Sequence, residues 1–394
     1  MRRFLFIVTL LFAASCLCAA PVFTVKGTKI YKDGKEFRTV GVNMWNLFLE
    51  YAALGDSVGR QSEEVHKKEL GYMQSAADNG FNVIRFAASG FYPYHIRDWG
   101  NSLYFEAMDD IFDYADSHGI YLIPVISWNP CLFPDVANGS LTDLMRKKDS
   151  YSRKAFDSYT YRMVNRYKDR KCIFCWEISN ELNLGADLGF LHPDGYEALN
   201  ATWLGSTYMR TPADNYTSQD LNVFFEDVAK FVKKIDPDHL ISTGNSVPRS
   251  FAYNICMTNN GWDKEDNVKE LAEYFKLTHP DPIDLISIHY YNGDAVRFGN
   301  KSQETASKLR EIKKAADKAG KPIYIGETHP GKPGKEYKPG DPFFDSLVKE
   351  VIRNRYPMVL MWVWGIPGDP AEFDPEATPE LVKLMRDVNE RMKK

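Results

Sequence analysis

The chain has 394 residues, 44% of them hydrophobic and 26% charged, with 49 basic and 53 acidic side chains for a formal net charge of −4. These values exclude disorder and collagen-like repeats, and the even balance carries no electrostatic footprint for nucleic acid. The length suits two or three ordinary domains or one large α/β barrel; the 14% aromatic content suits a large core or a cleft that stacks flat ligands such as sugars.

Met1-Arg2-Arg3 is basic, Phe4 to Ala14 is an apolar run too short to span a bilayer, and Ser15 to Ala20 is small. This predicts a secretory signal over 1–20, cut after Ala20. A lipid anchor on Cys16 is the weaker variant, because Ala13 stands where a larger aliphatic residue is expected. No later stretch is long and apolar enough to cross a membrane. The expected product is a secreted monomer, extracellular or periplasmic. Asn138, Asn200, Asn215 and Asn300 each open an N-x-S/T acceptor for glycosylation in a eukaryotic secretory route. Cys131, Cys172, Cys175 and Cys256 remain after the signal; sequence leaves any pairing among them open. One C-x-x-C without a second pair argues against zinc, and its run into a strand argues against a redox dithiol.

Residues 23–37 read as a small hairpin with Asp33-Gly34 at its turn. Eight short apolar strands follow, near 38–44, 82–86, 121–126, 173–178, 240–243, 284–288, 322–326 and 358–363. Amphipathic helical patterns separate them, near 61–79, 103–118, 151–169, 218–235, 267–279, 302–319, 341–355 and 378–393. Strands apolar on both faces with helices between them predict a parallel sheet, and eight repeats predict closure into a (β/α)8 TIM barrel forming one catalytic domain over 21–394.

Helix-to-strand links are short, such as Asn79-Gly80 and His118-Gly119. Several strand-to-helix links are long, near 128–150, 182–217, 244–266 and 329–341. All of these emerge on the C-terminal face, where barrel active sites sit. Trp128, Phe133, Tyr196, Trp203, Tyr208, Tyr216, Trp262 and Tyr337 lie in them, which suggests walls of an extended groove, with about half packing the loops down.

Glu181 ends the fourth barrel strand and Glu327 the seventh, so the two carboxylates are expected to face each other across the mouth. A carboxylate pair flanking one bond is what glycoside hydrolysis requires. Arg85 closes the second strand and would keep a nearby carboxylate ionised. His289 and Tyr291 follow the sixth strand. Trp362 and Trp364 end the eighth; two residues apart, they are expected to share a face and offer a floor for a sugar ring. A metal-dependent hydrolase needs clustered His and Asp at strand ends, whereas the 8 His are scattered along the chain. No metal or cofactor is expected. A barrel that binds glycans without cutting them is a further alternative.

These residues resemble glycoside hydrolase family 5, within the clan of (β/α)8 retaining enzymes. The similarity covers nearly all of the chain beyond the signal. Its most specific piece is Asn180-Glu181 together with Glu327. The resemblance implies that Glu181 is the acid/base, Glu327 the nucleophile and Asn180 the residue that binds the sugar 2-hydroxyl, with Arg85, His289, Tyr291 and Trp362 around them. Trp176-Glu177-Ile178-Ser179-Asn180-Glu181 and Trp128-Asn129 are similar to the endo-β-1,4-mannanase branch. Leu182-Asn183 depart from it, since Pro and often Arg follow the acid/base there, and Ser127-Trp128 stand where many members carry His. The implied substrate is a neutral polysaccharide or oligosaccharide, mannan or glucomannan first and a β-glucan second.

Overall fold

The computed structural model describes residues 22–56, 58–59, 61–188, 211–258, 264–292, 305–330 and 340–394. Residues 1–20, expected to be a signal, lie outside them, as do Tyr196, Trp203, Tyr208, Trp262 and Tyr337.

Three short antiparallel strands come first: β1 (Phe23–Lys26), β2 (Lys29–Lys32) and β3 (Lys35–Glu36). The expected hairpin thus has one strand more, because Gly27 (φ 59°) turns the chain before Asp33-Gly34 (φ 48° and 78°) turns it again. Eight parallel strands then alternate with helices. They are β4 (Thr39–Asn43), β5 (Val83–Ala87), β6 (Tyr121–Ser127), β7 (Cys175–Ser179), β8 (Leu240–Ser242), β9 (Ile286–His289), β10 (Ile323–Thr328) and β11 (Met358–Met361). Their order is β8-β7-β6-β5-β4-β11-β10-β9, and a parallel bridge between Ser242 and Leu285 joins the two ends. The fold is a (β/α)8 barrel.

Among the described residues, eight long helices cover the outside: Glu63–Asp78, Ser102–His118, Tyr151–Tyr167, Ser218–Ile235, Val268–Thr278, Thr305–Ala319, Pro342–Arg353 and Pro379–Met392. Their starts are chemically marked. Ser62, Ser150 and Thr217 each accept a backbone N–H from the first turn, which satisfies a donor the helix itself leaves orphaned.

The N-terminal sheet plugs the bottom of the barrel. Phe23 and Ile30 join Val83, Ile123, Phe174, Leu240, Leu285, Met358 and Leu360 in one buried cluster, and the Phe23 ring packs edge-on 4.8 Å from that of Phe174. Among the described residues, Cys172, Cys175 and Cys256 are free thiols. Cys172 and Cys175 are buried, and burial pushes both thiols up, the mark of inert structural cysteines.

The strand-to-helix side carries the long connections. Residues 128–150 hold two short helices, Leu132–Val136 and Leu141–Arg146, and the link after β8 holds Ala252–Thr258. Phe133 and Tyr216 are buried, and the Tyr216 hydroxyl donates to the Leu182 carbonyl at 2.5 Å. Both pack the loops down instead of lining a groove.

Candidate active site

The centre of the site is Arg85, on β5 and fully buried. Its guanidinium spends every nitrogen. Nε donates to Glu177 Oε1 at 2.6 Å, Nη1 to Glu327 Oε1 at 2.7 Å and Asn43 Oδ1 at 3.0 Å, and Nη2 to Asn180 Oδ1 at 2.6 Å. Its flat face lies 4.3 Å from the centre of the Trp128 ring. The planar fork suits this task, since it offers fixed, divergent donors and an aromatic-stacking face. Burial works against the charge, but Glu177 and Glu327 outweigh it and hold Arg85 above its ordinary value. Arg85 is thus both a core ion pair with Glu177 and a partner of a mouth carboxylate.

Glu177 is held on its other side by Tyr324, whose hydroxyl donates to Oε2 at 2.5 Å and also bonds Ser242 Oγ at 2.9 Å. These groups form a buried polar layer directly beneath the mouth. Trp176, the neighbour of Glu177, points the other way and donates to Asp236 Oδ2 at 2.7 Å.

Glu181 sits just beyond β7 in a left-handed turn (φ 51°, ψ 26°). Its backbone N–H donates to the Gly244 carbonyl at 2.8 Å. Gly244 is obligatory there: its φ is 73°, and a Cβ would stand 1.9 Å from the Ser179 carbonyl oxygen and 2.8 Å from Glu177 Oε1. Asn183 then clamps the two loops, donating to the Ser246 carbonyl at 2.9 Å and accepting from the Ser246 N–H at 2.8 Å. The Leu182-Asn183 departure from the mannanase pattern therefore has a structural job: Leu182 is buried, and Asn183 ties the β7 loop to the β8 loop.

Glu327 lies on β10, across the mouth from β7 in the strand order. Besides Arg85, it accepts from the Tyr291 hydroxyl at 2.8 Å through Oε2. His289 brings Nδ1 to 2.9 Å from Glu181 Oε1 and 3.4 Å from Glu327 Oε1. One oxygen of each glutamate and a ring nitrogen of His289 lie within 4.8 Å of one another. Such a trio has the donor types for a metal ion, but Arg85 already shares Glu327 Oε1, and a cation there would face its charge.

The electrostatics follow from this crowding. Burial raises the Glu327 carboxyl; His289 and Arg85 pull it down, Glu181 pushes it up, and the net shift is upward. A nucleophile would be expected to be shifted downward, so desolvation is stronger here than the ion pair. Burial pushes His289 down to about 4, so the imidazole is neutral near pH 7. Burial and the Glu327 charge together hold Tyr291 well above its ordinary value, so it stays a donor.

Trp128 and Trp362 line one side, with ring centres 6.0 Å apart. Trp45, Phe91 and Tyr92 pack into the same patch. Trp364 does not join them. β11 ends at Met361, so strand alternation does not extend to 364; Trp364 is buried against Phe81 and Phe373 and donates to the Tyr72 carbonyl at 3.0 Å. The expected shared face of Trp362 and Trp364 is corrected by this packing. Sequence reading also missed Asn43, Trp45, Phe91, Tyr92 and Tyr324. The signal for Tyr324 was available: it lies two residues before Gly326 on an inward-facing row.

A family model described as Cellulase (glycosyl hydrolase family 5) matches residues 32–366. The chain belongs to glycosyl hydrolase family 5. By that membership it is an enzyme of the glycoside hydrolase class. Mannan endo-1,4-beta-mannosidase 8 of Oryza sativa subsp. japonica is 24% identical over 379 residues, covering 87% of each chain. Probable mannan endo-1,4-beta-mannosidase C of Aspergillus terreus is 24% identical over 269 residues, covering 63% of this chain and 61% of that protein's length. Among solved structures, the endo-1,4-beta-mannanase from Rhizomucor miehei superposes with a TM-score of 0.65 at 17% identity, covering 94% of this chain and 99% of the other. The endo-beta-1,4-mannanase from Thermotoga petrophila gives 0.63 at 17% identity, covering 92% and 78%. At these identities the structural matches speak for the fold.

Proposed function

We propose that the protein is a retaining endo-β-1,4-mannanase, with Glu327 as nucleophile and Glu181 as acid/base. The observation that carries this reading is the close approach of the two carboxylates, with an oxygen of each within 4.8 Å of the other. Retaining enzymes hold their carboxyl groups about 5–5.5 Å apart, whereas inverting enzymes leave about 6.5–9.5 Å for a water.

In the reaction, Glu327 attacks the anomeric carbon while Glu181 protonates the leaving oxygen. Arg85 and Tyr291 hold the Glu327 oxygens, so one lone pair is aimed and the other charge is met by donors. The mechanism requires the Glu327 charge to disfavour ionisation of Glu181, so that Glu181 carries the proton for the leaving group. Once Glu327 is an ester, that repulsion ends, and Glu181 serves as base for the incoming water. Asn180 accepts from Arg85 through Oδ1, which orients its amide N–H groups as donors for a sugar hydroxyl. Trp128 and Trp362 supply the stacking wall.

The mannan assignment is supported by the names of the sequence relatives and the neutral-to-acidic charge, which disfavours a strongly anionic polymer. A β-1,4-glucanase or mixed-linkage glucanase is the second reading, favoured by the description of the matching family model and by the solved Cellulase Cel5C_n (TM-score 0.54, 14% identity). We also read 1–20 as an export signal and the mature enzyme as a secreted monomer acting without metal. Incubation with soluble β-mannan, glucomannan, carboxymethylcellulose and lichenan, with products sized by chromatography, tests the substrate. Release of oligosaccharides mainly from mannan supports the first reading, and release only from the glucans overturns it. Activity lost to a chelator and restored by a divalent ion would overturn the metal-free mechanism.

A further inference from the structure

His95 lies on a short helical turn, Pro93–Gly100, that follows β5. It is buried, and its Nδ1 accepts two backbone N–H groups at once, from Phe91 at 2.9 Å and from Tyr92 at 3.2 Å. A neutral ring whose Nδ1 accepts carries its proton on Nε2. Burial and the Arg97 charge push the imidazole down to about 4, which keeps Nδ1 an acceptor near pH 7. The ring is wedged from two sides. A Cβ on Gly90 would stand 2.5 Å from His95 Cβ, and one on Gly55, in the loop after β4, 2.7 Å from His95 Cδ2. Asp98 on the same turn fastens that loop by accepting the Gly55 N–H at 2.7 Å. From the loop after β6, Asn129 donates to the Phe91 carbonyl at 2.9 Å.

The segment fixed in this way carries aromatic rings outward from the catalytic centre. Phe91 and Tyr92 join Trp45, Trp128 and Trp362 in one patch. The Phe91 ring lies 5.4 Å from that of Trp45 and 5.2 Å from that of Tyr92, and Tyr92 stacks on Tyr94 at 5.3 Å. Trp45 and Tyr92 are partly buried, and Tyr94 is 43% exposed. Rings left partly open beside a cleft offer rigid contact area to a flat ligand. We propose that His95 is a positioning residue for substrate binding: by gathering the Phe91 and Tyr92 N–H groups, it holds this aromatic shelf against the Trp128–Trp362 wall, where the shelf takes a sugar ring beyond the one being cleaved. His95 acts through Phe91 and Tyr92 and does not touch the sugar. The idea rests on the cleft holding a glycan for cleavage by Glu181 and Glu327.

The test uses β-1,4-mannohexaose, or cellohexaose if the polysaccharide panel selects a glucan. His95→Leu removes the acceptor and should raise KM about tenfold, the scale of one lost aromatic contact, with kcat within twofold. His95→Asn places an oxygen near the Nδ1 position and should restore KM. His95→Gln reaches instead toward the Nε2 position and should not. An unchanged KM in His95→Leu, a fall in kcat without a rise in KM, or equal restoration by Asn and Gln overturns the proposal. If His95→Leu does not fold, Tyr92→Ala decides: its KM should rise several-fold at unchanged kcat, and an unchanged KM overturns the proposal. Hexasaccharide affinity, followed through tryptophan fluorescence, needs no turnover. A wild-type chain that binds the sugar without cutting it ends the hydrolytic reading alone, whereas a His95→Leu affinity equal to wild type ends this one.

Discussion

The two ends of the barrel are built from the same strands and hold opposite chemistry. On β7, Cys175 belongs to the apolar cluster at the bottom, Glu177 to the buried ion pair with Arg85, and the chain then runs on to Glu181 at the lip. The bottom is closed by Phe23 and Ile30 from the N-terminal sheet, which join an apolar cluster. The mouth packs Arg85, Glu177, Glu181, His289 and Glu327 into direct contact. The bottom gains stability from burying apolar area. The mouth gives some up to desolvate charge, and it holds because every Arg85 nitrogen has a partner. Apolar packing at one end thus supports a costly arrangement at the other.

The sharpest way to break this contrast is at the top. Glu327→Gln should lower kcat on the best glycan by about 10⁴-fold or more, with the thermal midpoint unchanged or raised, because it removes a charge from a buried site. Retained turnover in that variant would end the nucleophile assignment. At the bottom, Phe23→Ala should destabilise the fold by about 3–5 kcal/mol and leave kcat at permissive temperature within twofold of wild type. If kcat falls in parallel, the two ends are not separable.

Glu177→Gln tests the layer between them. It strands Arg85 without its nearest counter-charge, and breaking one partner of a buried pair costs about 3–5 kcal/mol. Both the melting midpoint and kcat should drop, which distinguishes it from either variant above.

Smaller effects sharpen the mouth itself. Tyr291 lowers the Glu327 carboxyl through its hydrogen bond, so Tyr291→Phe should raise it. Because the nucleophile must be ionised, the acid limb of kcat/KM should move to higher pH in this variant; a shift to lower pH would contradict the geometry. Trp362→Ala should raise KM several-fold with little loss of stability. Trp364→Ala should do the reverse, since Trp364 is buried against Phe81 and Phe373.

The last pair shows where sequence reading stops. The eight strands and eight helices were legible because apolar spacing, caps and glycine turns are local signals, and the helix over 63–78 falls within the expected 61–79. The Glu181, Glu327, Arg85, His289 and Tyr291 positions were legible because each lies within two residues of a strand's C-terminal end, and strand ends in a parallel barrel meet at one rim. The fate of Trp364 was not, because a two-residue spacing implies a shared face only while the strand lasts, and β11 stops at Met361. The upward shift of Glu327 was hidden too, since it comes from burial by residues distant in the chain.

What the amino-acid sequence determined by itself was the barrel, its rim and the two acids on it, because periodicity and strand termini depend on near neighbours. What only the tertiary structure decided was the sharing of Arg85 between Glu177 and Glu327 and the glycine at 244 that makes room beneath Glu181. Each of these brings together residues dozens to hundreds of positions apart, and their energies depend on distance and desolvation, which no linear spacing encodes.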